Sequence, residues 1–528
     1  MNHIFAYRSR SSNLLVDSVG LIAVIVLALF VRFHPISVSS IWYDEAFSLL
    51  LAKESPGQIW SITARDVHPP LYYVLLHYWM LLFGDSVLSA RSLSALADVG
   101  TLLLSIKLMS LVATRRATWI AALLLALLPI SVRYSQEVRM YTLVSFWLMG
   151  ATVALVCWVK APDKKRFPTI YVLLMTAAFY THYFAALCVL VHWLFWWQAR
   201  GIQGAVVPVR AWMLANSAIV VLFLPWVSHF IQQLLRGGGL EWILPLTWQT
   251  VLTIVWQFTA TNDSVPVSSW WRVVPTLLIL VCAVSVLVKD RSERHYSVLL
   301  VGYFFVPVIA LFFVALLTPV YVPRYLLFAA VGLPLIVAVG LDSWWHRQSV
   351  LAAAVLAIFF FGEVQALLPK HKKMEGREVG LDEVVASISL DIRPDDEILI
   401  DGLFWYLPFM YYNTTGIQPR IHVSSFTNTL WGYPDQGGWA LIHQRVKWIV
   451  SDKVSVLRPN TRRVWWVTGK ALAEDTTVFP KQWKKTLSLE GGGSEARLFT
   501  LDAAPPPLEA GVRTHPSARQ YNPWSDKH

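Results

Sequence analysis

Two short polar clusters break the apolar N-terminal part of this chain. In the first, Ser40-Ile41-Trp42-Tyr43-Asp44-Glu45-Ala46-Phe47, adjacent carboxylates stand among aromatic residues just after an apolar run. In the second, Asp66-Val67-His68-Pro69-Pro70-Leu71-Tyr72-Tyr73, a carboxylate and an imidazole sit on backbone stiffened by two prolines. Beside long apolar stretches such clusters are costly and mark function by default. A carboxylate held there suits proton abstraction from a hydroxyl. Three further clusters mix cations with aromatics: Tyr134-Ser135-Gln136-Glu137-Val138-Arg139-Met140-Tyr141, Tyr180-Thr181-His182-Tyr183 and Tyr321-Val322-Pro323-Arg324-Tyr325. The planar fork of a guanidinium gives bidentate, charge-assisted hydrogen bonds to a phosphate. Each cluster also has a plain reading: solvated acids in a loop, Arg139 and Arg324 snorkelling to headgroups, Glu137 pairing locally with Arg139, His182 as an interfacial histidine.

The elements that must position these residues are membrane helices. Of 528 residues 56% are hydrophobic and only 15% charged, against roughly 25% in soluble chains, so the fold class is an α-helical polytopic membrane protein. The first apolar run, Val19 to Val31, lacks a small-residue cleavage site and reads as a retained helix. Further spans are expected near residues 92–112, 117–130, 141–159, 167–180, 184–197, 212–230, 273–288, 296–317, 326–339 and 350–368, about 11 with the first. The run from Pro70 to Phe83 is short of the roughly 20 residues a crossing needs and is expected to lie at the interface. With Arg8 and Arg10 inside, the connections carrying Arg115-Arg116, Lys164-Lys165-Arg166, Arg200 with Arg210, Lys289-Arg291-Arg294 and Arg347 all fall inside, as the positive-inside rule expects. Those loops also account for much of the net charge of +11, so nucleic acid is not expected as a partner.

The same parity puts Asp44, Glu45, Asp66, His68, Arg139, His182 and Arg324 on the opposite, outer face. Arg324 is the more telling for standing where basic residues are few. Asp98 is expected to be buried in the second span with a structural role. In the loop 232–272, Gly237-Gly238-Gly239 reads as a flexible joint and Leu246–Phe258 as a short run on or dipping into the membrane. The three cysteines, Cys157, Cys188 and Cys282, lie in apolar runs and read as packing residues. The domain organisation expected is a transmembrane domain at 1–369, with its first outer loop at 35–91, and a small extramembrane α/β domain at 370–502. In that domain a helix near 381–390 and strand-like runs at 397–401, 446–451, 463–467 and 496–500 alternate. A Pro-rich tail at 503–528 is expected to be disordered.

The aromatic-Asp-Glu cluster followed by Asp66-Val67-His68-Pro69-Pro70-Leu71 resembles the membrane glycosyltransferases of the GT-C superfamily, in particular the protein O-mannosyltransferase and aminoarabinose-transferase branch of family 39 and 83-like enzymes. Tyr134 to Tyr141 and Pro323-Arg324-Tyr325-Leu326-Leu327 resemble motifs of its bacterial members. The resemblance covers roughly 21–341 and leaves the C-terminal domain unplaced. It implies an inverting transfer of a sugar from a polyprenyl-phosphate donor to a glycan, lipid or protein acceptor, on the extracytoplasmic face of the cytoplasmic membrane. Asp44 would then be the base, with Glu45 beside it. Asp66, His68, Tyr134, Glu137, Arg139, Tyr141, His182, Arg324 and Tyr325 would line the substrate site. A lipid-phosphate leaving group needs cations rather than a proton donor, which the basic clusters supply. No stretch has the spacing of a dedicated metal site, so neither a required metal nor another cofactor is expected. The rival reading is a transporter or flippase of lipid-linked sugars, which scattered polar residues along the middle of several spans would favour. A third is a sensor whose C-terminal domain does the recognition.

Overall fold

The computed structural model describes residues 14–34, 36–200, 207–236, 243–259, 272–290, 295–345, 347–368, 380–422, 437–442, 450–451, 461–470, 479 and 482–501. The expected glycine joint at 237–239 and the tail at 503–528 lie outside them. In chain order the α-helices are α1 (Leu14–Phe33), α2 (Tyr43–Ala52), α3 (Pro56–Thr63), α4 (Leu71–Phe83), α5 (Val87–Val112), α6 (Arg115–Leu127), α7 (Pro129–Ser135), α8 (Tyr141–Lys160), α9 (Arg166–Phe179) and α10 (Ala185–Arg200). They continue as α11 (Val209–Arg236), α12 (Trp248–Leu252), α13 (Ile254–Thr259), α14 (Val274–Lys289), α15 (Tyr296–Ala315), α16 (Leu327–Ala330), α17 (Gly332–Trp345), α18 (Ser349–Leu367), α19 (Leu381–Asp391) and α20 (Gly402–Tyr412). The strands are β1 (Glu397–Asp401), β2 (Arg420–His422), β3 (Val450–Ser451), β4 (Arg463–Gly469), β5 (Trp483–Gly491) and β6 (Ser494–Leu501).

The chain forms two compact units, one of residues 1–36 and 68–369, the other of 37–67 and 370–528. The first is the helical, polytopic membrane part. Among the described residues seven helical segments are long and apolar enough to cross a membrane, or eight if α6 and α7, bent by 50°, make one span. Helices α4, α9 and α14 are apolar but shorter. Each of the eleven stretches expected to span is helical. At 13 residues α4 reaches about 20 Å and at 14 residues α9 reaches about 21 Å, both under the roughly 30 Å of a hydrocarbon core.

Local chemistry sets the helix ends. Ser86 and Thr114 cap α5 and α6 by accepting the backbone N–H of Ser89 and Ala117 at 3.2 and 3.1 Å. Pro129 opens α7 in the first-turn position that proline tolerates, and the chain bends at Leu128. Gly84 ends α4 with φ of 83°, a conformation glycine adopts without strain.

One buried charged node ties the first helix to this bend. Arg32 of α1 and Asp98 of α5, both 1% exposed, pair at 2.7 Å. Arg32 also donates to the carbonyl of Ala126 at 2.9 Å, near the end of α6. Asp98 accepts from Ser131 of α7 at 2.5 Å. Asp98 is thus buried and structural in its setting.

In the second unit a six-stranded sheet runs in the order β3-β2-β1-β4-β6-β5. The first four strands are parallel and the last two join antiparallel. Leu399, Val464, Trp466, Phe479 and Phe499 form a buried core against it. Helix α20 makes the crossover from β1 to β2, and α2 packs on α20. Tyr43 of α2 stacks on Phe404 of α20 with ring centroids 5.8 Å apart, and Ile41 donates its backbone N–H to the Tyr412 hydroxyl at 2.8 Å.

The Arg32–Asp98 node makes a stability prediction. Removing one partner leaves a buried charge alone, at a cost of about 3–5 kcal/mol, whereas losing the neutral Ser131 bond costs about 1 kcal/mol. In detergent Asp98→Ala should therefore melt far below Ser131→Ala, and Arg32→Met combined with Asp98→Leu should recover much of the loss. Equal melting temperatures for the two single variants would contradict the node.

Candidate active site

The helical unit gathers an aromatic basin with cations around its rim. Its members come from segments joined only by folding: His68 before α4, Tyr141 at the start of α8, His182 between α9 and α10, and Tyr325 in a short 3-10 turn, Pro323–Leu326. The ring of His182 lies 5.7 Å from that of His68, 6.0 Å from Tyr141 and 5.3 Å from Tyr325. Tyr134 meets Tyr141 edge to face at 5.7 Å. The guanidinium carbons of Arg139 and Arg324 stand 5.8 and 5.9 Å from the centre of the Tyr141 ring. Two cations thus stand at one ring, whose quadrupole attracts each of them.

Backbone contacts fix the frame. Leu71, which follows the two prolines, donates its N–H to the carbonyl of Tyr180 at 3.0 Å, tying the His68 segment to the end of α9. Ser94 of α5 donates to the carbonyl of Arg139 at 3.1 Å, and Arg139 closes a tight turn onto the carbonyl of Glu137 at 2.8 Å. Tyr321 donates to Gln257 of α13 at 2.9 Å, seating the turn that carries Arg324.

His182 is the inward pole of the basin. Its Nδ1 accepts the backbone N–H of Phe184 at 3.2 Å, so a neutral ring carries its proton on Nε2. That Nε2 is buried and has no hydrogen-bond partner among the described residues. Burial, and then the nearby His68, Arg139 and Arg324, push its pKa well below 6.5. A neutral N–H donor thus stands among positive charges, an arrangement that can receive an anion without a proton of its own to lose.

Of the residues expected from the sequence, His68, Tyr134, Arg139, Tyr141, His182, Arg324 and Tyr325 converge here. Glu137 is buried in the turn beside Arg139. Phe184 was not anticipated; it lies 5.4 Å from Tyr325 and its backbone orients His182. The aromatic run Tyr180-Thr181-His182-Tyr183-Phe184 was the available signal.

The expected acids stand in the other unit. Asp44 and Glu45 lie in the first turn of α2 rather than in an open loop, a position favourable to carboxylates. Successive helical residues point about 100° apart. Glu45 is fully buried and Asp44 only partly. Asp66 is 6% exposed, with its N–H on the carbonyl of Thr63 at 3.0 Å.

No protein-family model and no curated protein matches this sequence. Solved structures do. The apo crystal structure of ArnT from Cupriavidus metallidurans is similar at TM-score 0.59 and 13% identity, over 92% of this chain and 98% of that one. The same protein bound to undecaprenyl phosphate is similar at TM-score 0.54 and 13% identity, over 90% and 97%. An Archaeoglobus fulgidus oligosaccharyltransferase tethered with an acceptor peptide matches at TM-score 0.52 and 12% identity, over 77% of this chain and 64% of that one. The arabinofuranosyltransferase AftD from Mycobacteria matches at 0.52 and 13%, over 95% and 41%. The chain therefore has the GT-C fold that its motifs led us to expect.

The histidine yields a pH prediction. Unfolded His182 binds a proton below about pH 6.5 and the folded residue does not, so its burial costs stability as pH falls through that value and nothing above it. His182→Asn should show a shallower fall in melting temperature between about pH 7 and 5 than the parent protein. Parallel curves would contradict the buried neutral imidazole.

Proposed function

We propose that this protein is a membrane glycosyltransferase that moves a sugar from a polyprenyl-phosphate donor to an acceptor hydroxyl on the extracytoplasmic face, with inversion. The observation that carries the reading is the pair of guanidinium groups flanking Tyr141 beside the unprotonated His182. The similar fold of Cupriavidus ArnT, with undecaprenyl phosphate bound, supports it. In the reaction the acceptor oxygen bonds to the anomeric carbon while the bond from that carbon to the phosphate oxygen breaks. Asp44 takes the acceptor's proton as the new bond forms, a contribution of roughly 10²–10⁴-fold. The electron pair leaves with the polyprenyl phosphate. Arg324, helped by Arg139 and the His182 Nε2–H, stabilises the charge that grows there. Tyr134, Tyr141, Tyr325, His68, Asp66 and Glu137 shape and orient the substrate. Glu45, fully buried, holds the helix that carries Asp44.

Three measurements test this. Arg324→Ala should reduce sugar transfer about 10- to 100-fold at normal protein abundance, with Arg324→Lys restoring part because the bidentate fork is lost. Unchanged transfer in Arg324→Ala removes that residue from the site. Asp44→Asn keeps the shape of the side chain without its basicity, so it should nearly abolish transfer while binding of the polyprenyl-phosphate sugar persists. Glu45→Gln should keep a measurable fraction; the opposite pattern reverses the assignment, and full activity in both sinks the chemistry. For the face, cysteines at the exposed Ser55 and Leu390 should react with an impermeant maleimide in intact cells and one at the exposed Asp163 should not. Labelling of position 163 alone would put the site on the cytoplasmic side.

A further inference from the structure

The unit of 37–67 and 370–528 holds a second polar constellation, at the carboxyl ends of its parallel strands. After β3 the chain returns to pair β4 on the free side of β1, so the strand order reverses between β1 and β4. In open α/β sheets the crevice at such a reversal, outside the carboxyl ends of the strands, is where ligands bind. Here three adjacent strands carry polar residues at or next to their carboxyl ends. Asp401 ends β1, His422 ends β2, and Thr468 lies one residue from the end of β4. Thr468 donates to Asp401 Oδ2 at 2.8 Å. His422 is buried, yet its Nδ1 stands 3.7 Å from Asp401 Oδ1 and has no hydrogen-bond partner among the described residues. The Asp401 side chain is 25% exposed.

The opposite end of the same sheet shows what a purely structural set looks like. There Asp396 pairs with Arg463 at 2.9 Å, and Glu397 takes the Thr461 hydroxyl at 2.6 Å and lies 3.4 Å from Arg420. Carboxylates that serve the fold are met by guanidinium groups. Asp401 is met by a hydroxyl and by an imidazole held just beyond bonding distance.

The chemistry of the crevice selects among ligands. Gly402, with φ of 78°, turns the chain from β1 directly into α20, and a Cβ there would meet open space. A phosphate at the start of α20 would meet the Asp401 carboxylate as a like charge, which speaks against a nucleotide. Hydroxyl groups suit the set better: a carboxylate accepts from them and a neutral imidazole both donates and accepts. Phe404, 43% exposed and three residues after Asp401 in the first turn of α20, is an apolar ring of about the size of a sugar. Its other neighbour is Tyr43, the residue before Asp44.

We propose that this crevice binds a saccharide, Asp401 and His422 taking its hydroxyls and Phe404 stacking on its ring, and that the saccharide belongs to the acceptor, the last clause resting on the transfer reading above. The acceptor class is thereby a glycan or a glycan-bearing molecule.

The full-length protein in detergent, titrated with the methyl glycosides of mannose, glucose, galactose and arabinose by saturation-transfer NMR, tests this. At least one should bind saturably, and Asp401→Asn should weaken it about 10-fold, the loss of one charge-assisted hydrogen bond. Phe404→Ala, at an exposed position, and the near-isosteric Thr468→Val serve if Asp401→Asn fails to fold. Absence of saturable binding overturns the proposal. So does binding that none of the folded variants weakens, or AMP bound more tightly than any glycoside. Transfer assays separate the two readings. If the protein transfers sugar and the acceptor KM is indifferent to Asp401→Asn and Phe404→Ala, the acceptor crevice fails and the enzyme stands. If glycosides bind through Asp401 but no polyprenyl phosphate is ever released from a lipid-linked sugar, the saccharide site stands and the transferase reading fails.

Discussion

Burying a guanidinium within an apolar helix bundle is expensive unless a carboxylate and carbonyls meet it, and the helical unit is arranged to do that for Arg32. Asp98 faces it at 2.7 Å, Ala126 and Ala28 supply carbonyl oxygens, and Ser131 satisfies the far carboxylate oxygen. The consequence is geometric. Four segments, α1, α5, the end of α6 and α7, are held at one point. The bend at Leu128 becomes obligatory, because α7 must bring Ser131 to Asp98 while Gln136 reaches the carbonyls of Val31 and Arg32 at 3.1 and 3.2 Å. Arg139 lies three residues beyond Gln136, so the node in the bundle also sets where a rim cation of the basin begins. A pair of this kind adds little net stability over well-packed apolar residues, but its loss is severe, which suits a device that fixes register.

The basin shows the complementary use of charge. Arg139 and Arg324 approach Tyr141 from segments far apart in sequence, and nothing in helix packing alone requires two like charges at one ring. His182, which the Phe184 N–H and burial keep neutral, adds no charge to the set.

How much of this could be read beforehand follows from the kind of signal each element leaves. Apolar length is a strong signal, and every stretch expected to span proved helical, because backbone groups in hydrocarbon have few alternatives. The bend at Leu128 was not visible as a break in hydropathy, since Pro129 sits in apolar sequence. In the C-terminal part, β1, β4 and β6 carry β-rich runs and were legible. β2, with three residues, is too short for any pattern, and β5 is largely exposed and polar, so its pairing with β6 rather than its composition makes it a strand. Helix α20 is apolar on all sides with Pro408 inside, which hides the helical period. The grouping of 37–67 with 370–528 is a contact across more than half the chain and leaves no local trace. The members of the basin were legible one by one, as aromatics with cations at helix ends. Their convergence on His182 was not, and neither was the Asp401–His422–Thr468 set, whose residues are unremarkable until the sheet order puts them side by side.

Chemistry is divided between the two units by charge. The set in the helical unit consists of cations and a neutral imidazole, while the carboxylates Asp44, in α2, and Asp401, at the end of β1, stand in the other unit. Within the second unit the two acids are linked mechanically. Asp401 opens α20, Phe404 of α20 stacks on Tyr43, and Tyr43 adjoins Asp44. The Tyr412 hydroxyl at the far end of α20 takes the N–H of Ile41, so α20 grips the approach to α2 at both of its ends. A ligand seated on Asp401 would therefore be held by the same helix that packs on the segment carrying Asp44. Coupling of that kind needs no moving part: one helix holds Asp401 and the segment of Asp44 in a fixed relation, so whatever seats at one carboxylate is placed with respect to the other.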